Sequence, residues 1–223
     1  MALARWKDLC PDSADPASVA PFWAGVLGLT AETQDGGDVV LRGDRPEQTM
    51  WFNTVPEPKV VKNRVHLDLV LPTYAPLVGA GARVLEDHET ARYRWTVLAD
   101  PEGNELCVFP PGPETPSALV VDSADTEADA AWWARVLGAR AAEAPDGTRR
   151  WVADVPGLPF DVWKFVGVPD PKTVKNRWHW DVVSDDVAAL VREGATVLRE
   201  PAGDIDWHVL ADPAGNEFCV FTP

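Results

Sequence analysis

The chain states one pattern twice, and that repetition limits its possible folds more than any other feature. Lys59-Val-Val-Lys-Asn-Arg-Val-His-Leu-Asp-Leu-Val70 returns as Lys172-Thr-Val-Lys-Asn-Arg-Trp-His-Trp-Asp-Val-Val183, with eight of twelve positions identical. Leu98 to Pro111 returns as Leu210 to Pro223, with eleven of fourteen identical. Asp12-Ser-Ala-Asp15 through Val26-Leu-Gly28 returns as Asp122-Ser-Ala-Asp125 through Val136-Leu-Gly138. The offsets are 113, 112 and 110, so the three blocks keep their order and nearly their spacing, as a tandem duplication requires. Pro110-Pro-Gly-Pro-Glu-Thr-Pro116 is a linker by composition and divides the chain into copies at 1–111 and 117–223.

Within copy one, Trp6 to Cys10 reads as a short strand. Asp12, Ser13 and Asp15 offer N-cap oxygens, Pro16 suits a first helical position, and Ala17 to Leu27 carries apolar residues at helical spacing up to Gly28. Strands are expected at 38–42, 50–54 and 65–71, a second helix over 76–85, and a hairpin of 92–99 with 106–109 through Asp100-Pro-Glu-Gly-Asn104. Each copy is thus a doubled unit of roughly 55 residues, too small to stand alone. Two units sharing a sheet make one domain, an α+β arrangement with helices outside a curved sheet.

Composition narrows the function. A net charge of −15 disfavours nucleic acid and anionic membrane surfaces as partners, since both demand a basic face. No apolar run is long enough for a signal peptide or a membrane span, and three cysteines without short spacing argue against a disulfide framework, so a cytoplasmic location is expected. Eleven tryptophans point to core seams, interfaces or stacking surfaces.

The strand–helix–strand doubling, the helix ending Phe22-Trp-Ala-Gly-Val-Leu-Gly-Leu29 and the Asp100-Pro-Glu-Gly-Asn-Glu105 turn resemble the vicinal oxygen chelate superfamily. Within it, the Lys-Asn-Arg-Val-His-Leu-Asp and Gly-Asn-Glu-Leu-Cys-Val-Phe runs resemble glyoxalase-like domains common in actinobacterial proteins. The resemblance spans the chain once per copy and implies paired βαβββ modules forming a cup-shaped sheet. It also implies a small-molecule ligand and, in catalytic members, a divalent metal such as Zn, Fe, Ni, Mn or Cu. The superfamily includes isomerases, dioxygenases, thiol transferases and metal-free bleomycin-resistance-type binders, so it does not choose a reaction. By position, His66 and His179 match a ligand of the family, while Cys107 and Cys219 stand where it places Glu. Asp8 falls near the first-module ligand, with Ala118 as its counterpart in copy two.

Period-two alternation puts Arg64, His66 and Asp68 on one strand face and Val65, Leu67 and Leu69 on the other, with the polar set assigned to the cup. Glu105, Cys107 and Phe109 share a face likewise. In an enzyme, His66 or His179 would act as general base or metal ligand, Asp68 or Asp181 would orient the imidazole, and Arg64 or Arg177 would meet developing negative charge. The Arg residues pair equally well with Asp68 or Glu105 and their counterparts, and Cys107 and Cys219 read equally as small buried hydrophobes. Glu217, Trp95, Trp207 and His208 complete the ligand-binding set. Two readings stay open, both with an aromatic small molecule as the expected ligand: a lyase or isomerase working by proton abstraction next to a carbonyl, and a non-catalytic binder that sequesters a drug or metabolite. A duplication that replaces a homodimer fits either, as a monomer or a dimer.

Overall fold

The first element follows its signals closely. In a computed structural model that describes residues 2–88, 94–112, 115–144 and 149–223, β1 (Arg5–Ser13) runs past the expected Cys10. Asp15 then caps α1 (Pro16–Leu27), its side chain accepting from the Ser18 amide at 3.2 Å, and Gly28 closes the helix at φ 67°. β2 (Thr30–Thr33), β3 (Val39–Arg42) and β4 (Thr49–Thr54) complete a first module; β2 is exposed throughout, so its sequence carries no burial pattern.

The second module is β5 (Val65–Val70), α2 (Ala75–Gly79), β6 (Arg83–Glu86), β7 (Thr96–Ala99) and β8 (Glu105–Phe109). The helix expected over 76–85 stops at Gly79, because Gly81 takes φ 110° and turns the chain into β6. The expected strand start at 92 lies outside the described residues. Copy two repeats the order as β9 (Ala118–Ser123), α3 (Thr126–Leu137), β10 (Arg140–Glu143), β11 (Arg149–Ala153) and β12 (Val162–Gly167). It ends with β13 (Trp178–Val183), α4 (Val187–Arg192), β14 (Thr196–Arg199), β15 (His208–Ala211) and β16 (Glu217–Phe221).

The modules do not pair within a copy as the repeat suggests. One eight-stranded sheet runs β14-β15-β16-β13-β1-β4-β3-β2 and the other β10-β11-β12-β9-β5-β8-β7-β6. Each curved open sheet therefore takes one module from each copy, joined at β1/β13 or β5/β9. The two joints are alike: Leu9 faces Trp180 and Cys10 faces His179 in one, while Leu67 faces Leu119 and His66 faces Val120 in the other. Copies of similar sequence offer similar edges, so pairing across copies buries the same kind of residue as pairing within one.

The apolar faces of both sheets and their helices share one core. Trp163 of β12 meets Trp180 of β13 at 4.7 Å between ring centroids, and Trp133 of α3 lies 4.8 Å from Trp163 and 5.2 Å from Trp180. Seven of the eleven tryptophans (Trp6, Trp23, Trp132, Trp133, Trp163, Trp178 and Trp180) belong to this seam, so most of the Trp enrichment is packing. Trp51, Trp95, Trp151 and Trp207 do not belong to it.

The repeated motifs hold one another. Trp23 Nε1 donates to Asp100 Oδ2 at 2.9 Å; Asp100 accepts from Asn104, and Asn104 Oδ1 accepts from Asn63 Nδ2 at 2.9 Å. Trp133, Asp212, Asn216 and Asn176 repeat the chain of bonds in copy two. Asn63→Ala strands a buried acceptor and is expected to cost about 1–3 kcal/mol in urea unfolding, against about 0–1 for Lys62→Ala at the exposed end of its ion pair.

Candidate functional site

The side chains opposite the shared core form two polar clusters, one per sheet. In the β5/β9 cup, His66 and Asp68 alternate with core residues Val65, Leu67 and Leu69, so both side chains face away from the helices. His66 Nε2 lies 3.5 Å from Asp68 Oδ1, and Cys107 is beside them. Lys164 of β12, only 4% exposed, places its Nζ 2.9 Å from Asp68 Oδ2. Burial works to raise the Asp68 pKa, but the His66 contact and the Lys164 charge outweigh it and hold Asp68 below its ordinary value. The Ala118, Val120, Ala153 and Val162 side chains form a second apolar cluster, with Trp151 packed on it; Val120 and Ala118 lie opposite His66 and Asp68.

The β1/β13 cup differs. Asp8 lies opposite Asp181 and Cys10 opposite His179, while Cys219 of β16 lies beside Asp181. Lys7 pairs with Asp8 and stands 4.0 Å from Asp181 Oδ2. Burial, with Asp8 adding to it and Lys7 opposing it, pushes Asp181 up to about 7. Burial, then the nearby Lys175, pushes His179 down to about 4, so its ring is neutral at pH 7. Burial also raises Asp8, against the pull of Lys7, and raises the thiols of Cys10, Cys107 and Cys219, which stay protonated. His179 Nδ1 and Asp181 Oδ1 are buried without a hydrogen-bond partner. A cavity of about 340 Å³ lies at the mouth, lined by Lys7, Asp8, Arg42, Thr49 and Trp51 among others.

Several expected site residues lie elsewhere. Asp8 joins His179 and not His66, because the modules pair across copies. Arg64 does not pair with Asp68 or Glu105: its guanidinium donates to the carbonyls of Asp170 at 2.9 Å and Asp122 at 3.0 Å. Arg177 donates to the Glu57 carbonyl and to Glu102, at 2.8 and 2.9 Å. Glu105 accepts from Lys59 and the Asn63 amide, and Glu217 from Lys172 and the Asn176 amide, so both carboxylates pin the basic loops. Those loops face each other across a cleft of about 580 Å³ that includes Val60, Lys62, Arg64, Val174, Lys175 and Arg177, between the copies. Trp95 stacks on Phe109 at 5.1 Å and Trp207 on Phe221 at 5.3 Å, the two Phe sharing their strand faces with Cys107 and Cys219. His208 falls opposite the core residue Val220 and pairs with Glu200 at 3.0 Å, so it sits on the other face from His179. Sequence reasoning missed Cys10, Lys7 and Lys164. The signal for Lys164 is its place inside the apolar strand Val162-Trp-Lys-Phe-Val166.

Cys10, His179 and Asp181, and likewise His66, Asp68 and Cys107, each bring three metal-binding atoms within 4.8 Å of one another. Charge decides whether a divalent ion fits. In one cup an ammonium already holds Asp68 at 2.9 Å, and in the other Lys7 sits on Asp8 and 4.0 Å from Asp181. A metal there would stand beside an ammonium that already occupies the carboxylate, buried in the case of Lys164 and partly exposed in the case of Lys7. The donor sets do not fit the ion.

The pH dependence of stability follows from the same groups. Asp181 at about 7 and Asp129 at about 6, the latter raised by burial against a Ser123 hydrogen bond, bind protons in the folded state that the unfolded chain releases down to about 3.9. Both therefore add stability as pH falls from about 8 towards about 4. His179 at about 4 works the other way, losing stability as pH falls below about 6.5, but it is one group against two. Thermal unfolding is expected to show a higher midpoint at about pH 5.5 than at about pH 8. Asp181→Asn should flatten that slope.

A family model described as a glyoxalase-like domain matches residues 8–109 and again 118–221. Glyoxalase I from Zea mays superposes with a TM-score of 0.61 at 12% identity, covering 97% of this chain and 92% of that one. A putative dioxygenase from Bacillus subtilis gives 0.65 at 14% identity, covering 99% and 86%. The cppA protein of Streptococcus pneumoniae gives 0.51 at 8% identity, covering 99% and 100%. At these identities the likeness shows a shared fold. No curated protein sequence matches the chain.

Proposed function

This chain belongs to the glyoxalase-like domain family, within the vicinal oxygen chelate superfamily, and from that premise we propose that its β1/β13 cup binds a small planar molecule and moves a proton next to a carbonyl, as an isomerase or lyase does. The observation that carries this reading is the juxtaposition of Asp181, held at about 7, with Asp8, which lines a cavity of about 340 Å³. A carboxylate with a pKa near the working pH serves as acceptor and donor in turn, which general acid–base chemistry requires. His179 is pushed too low to be the matched base and instead borders the site as a neutral ring. The base is thus Asp181, where strand alternation alone favours the imidazole. Trp51 supplies a flat apolar wall that suits an aromatic ligand, and the Trp207–Phe221 stack lies against Lys7.

The β5/β9 cup reads as the supporting copy. Its carboxylate is neutralised by Lys164, and Ala118 and Val120 stand where the other cup has Asp8 and Cys10. Module exchange lets one chain build both cups, which supports duplication in place of a homodimer. The three cysteines are free and buried, in keeping with a reducing cytoplasm.

The test is deuterium uptake from D₂O into phenylpyruvate, an aromatic compound with acidic hydrogens beside its carbonyl, followed by a panel of aromatic ketones and keto acids. Exchange faster than in buffer supports the reading. Saturable quenching of tryptophan fluorescence across the panel, with no exchange, would instead support sequestration, for which the aromatic stacks are the favouring observation.

A further inference from the structure

We propose that the cation around which both cups are organised is a lysine ammonium standing in place of a divalent metal, Lys7 in the β1/β13 cup and Lys164 in the β5/β9 cup, and that Lys7 receives the ligand oxygen on which negative charge sits or develops. The chain has only six lysines. Four belong to the basic loops, where Lys59 and Lys172 are tied to Glu105 and Glu217, and Lys62 and Lys175 to Asp122 and Asp12. The other two are in the cups.

Their settings match. Lys7 Nζ lies 4.2 Å from the Phe221 ring centroid, and Phe221 is stacked on Trp207. Lys164 Nζ lies 5.2 Å from Phe109, and Phe109 is stacked on Trp95. Each ammonium also touches a carboxylate on the strands that join the modules, Asp8 or Asp68. Duplication did not supply this likeness. At the 110-residue offset Lys7 corresponds to Ser117. Leu9 pairs with Met50 as Leu119 pairs with Trp163, so the counterpart of Lys164 is Trp51. Two cups therefore reach one arrangement from non-equivalent strands.

The device that admits Lys7 is visible in the register. Trp6 faces Val182 and Asp8 faces Asp181, so Lys7 is the extra residue of a β-bulge, a feature that re-aims a side chain; the corresponding joint of β9 on β5 runs without a shift. Lys164 is buried and Lys7 keeps 30% of its side chain exposed; desolvating an ammonium wholly or in part is costly unless it is paired, and two unrelated positions bearing such a cost at one place in the fold argue for use. An ammonium has three donors, and the carboxylate leaves some of them for a ligand. In proton transfer, Asp181 takes the proton from carbon, the C–H electron pair moves to the carbonyl, and its oxygen becomes an enolate facing Lys7. Return of the proton from Asp181 to that carbon, with the electron pair moving back from oxygen, restores the neutral carbonyl compound. The place of the ammonium stands without the proposed function; only this catalytic role rests on it.

The test is titration of wild type, Lys7→Met, Lys164→Met and Lys7→Arg with Zn²⁺, Ni²⁺ and Mn²⁺, read by calorimetry and elemental analysis. Wild type and Lys7→Arg should take up no stoichiometric metal. Each Met variant leaves His, Asp and Cys donors around an uncompensated carboxylate and should gain a site, on the order of 100-fold or more tighter. Circular dichroism with and without metal reads a variant that folds poorly: recovery on adding metal supports the proposal. Stoichiometric metal in wild type overturns it, as do Met variants that refuse metal or stay unfolded in its presence. A second measurement compares 2-naphthoate with 2-naphthamide by tryptophan quenching. Preference for the anion should be lost in Lys7→Met and kept in Lys7→Arg; equal binding in wild type contradicts the ligand-oxygen role. The proton-transfer reading fails separately, by absence of exchange while both of these results stand.

Discussion

Asp181→Asn is expected to abolish proton exchange, a loss of about 10²–10⁴-fold, the usual weight of a positioned acid–base group. Asn keeps the shape of Asp181 but cannot take a proton. The same change should leave the fold at least as stable near pH 8, because burial is what raises the Asp181 pKa, and ionising that group is a cost the folded state bears. A loss of exchange accompanied by equal or better thermal stability is a combination that a purely structural role would not produce. Asp68→Asn makes the contrast. It removes the partner of Lys164 in the other cup and should reduce stability, since Asp68 is held below its ordinary pKa, without stopping exchange. Rates come from proton NMR of the exchanging substrate, and stability from thermal melts of the same preparations.

Trp133→Ala should be the most damaging single change in the core. Trp133 is fully buried, packs on Trp132, Trp163, Trp180 and Phe218, and donates from Nε1 to Asp212 at 3.0 Å. Truncation opens a cavity where the two sheets meet, for which about 3–5 kcal/mol is typical, and it removes one of the bonds holding Asp212. Trp133→Phe refills most of the space and should cost less, separating the packing loss from the hydrogen bond. Trp23→Ala should resemble it, since Trp23 occupies the matching place in copy one, against Trp178 and Asp100. Denaturant midpoints at constant slope give both numbers. A change below about 1 kcal/mol in Trp133→Ala would mean that the seam is not where the two sheets are held.

What was legible in the sequence follows from what a sequence encodes. The duplication, the α1 caps at Asp15 and Gly28, and the alternation that puts His66 with Asp68 on one face are local patterns, and the structure has each of them. The partner of each module was not local. Pairing β1 with β13 or with β5 buries similar residues, so Asp8 was expected beside His66 and stands beside His179. Arg64 and Arg177 were read either as meeting negative charge on a ligand or as pairing with Asp68 or Glu105 and their counterparts, yet three of the four guanidinium contacts go to backbone carbonyls, which carry no sequence signature. Lys7 enters its cup through a bulge, and strict alternation has no place for it. Lys164 sits ninety-six residues from Asp68 in the chain, a contact that only the exchange of modules creates.

The measurement that bears most directly on the site is a carbon-13 NMR titration of the aspartate carboxyl groups, which needs neither substrate nor metal. One carboxyl should titrate near pH 7, a second near 6, and the signal near 7 should vanish in Asp181→Asn while persisting in Asp129→Asn and Asp68→Asn. If every aspartate in the wild-type protein has already ionised below about pH 5, Asp181 has no proton to hold at neutrality, and the β1/β13 cup is not the acid–base site.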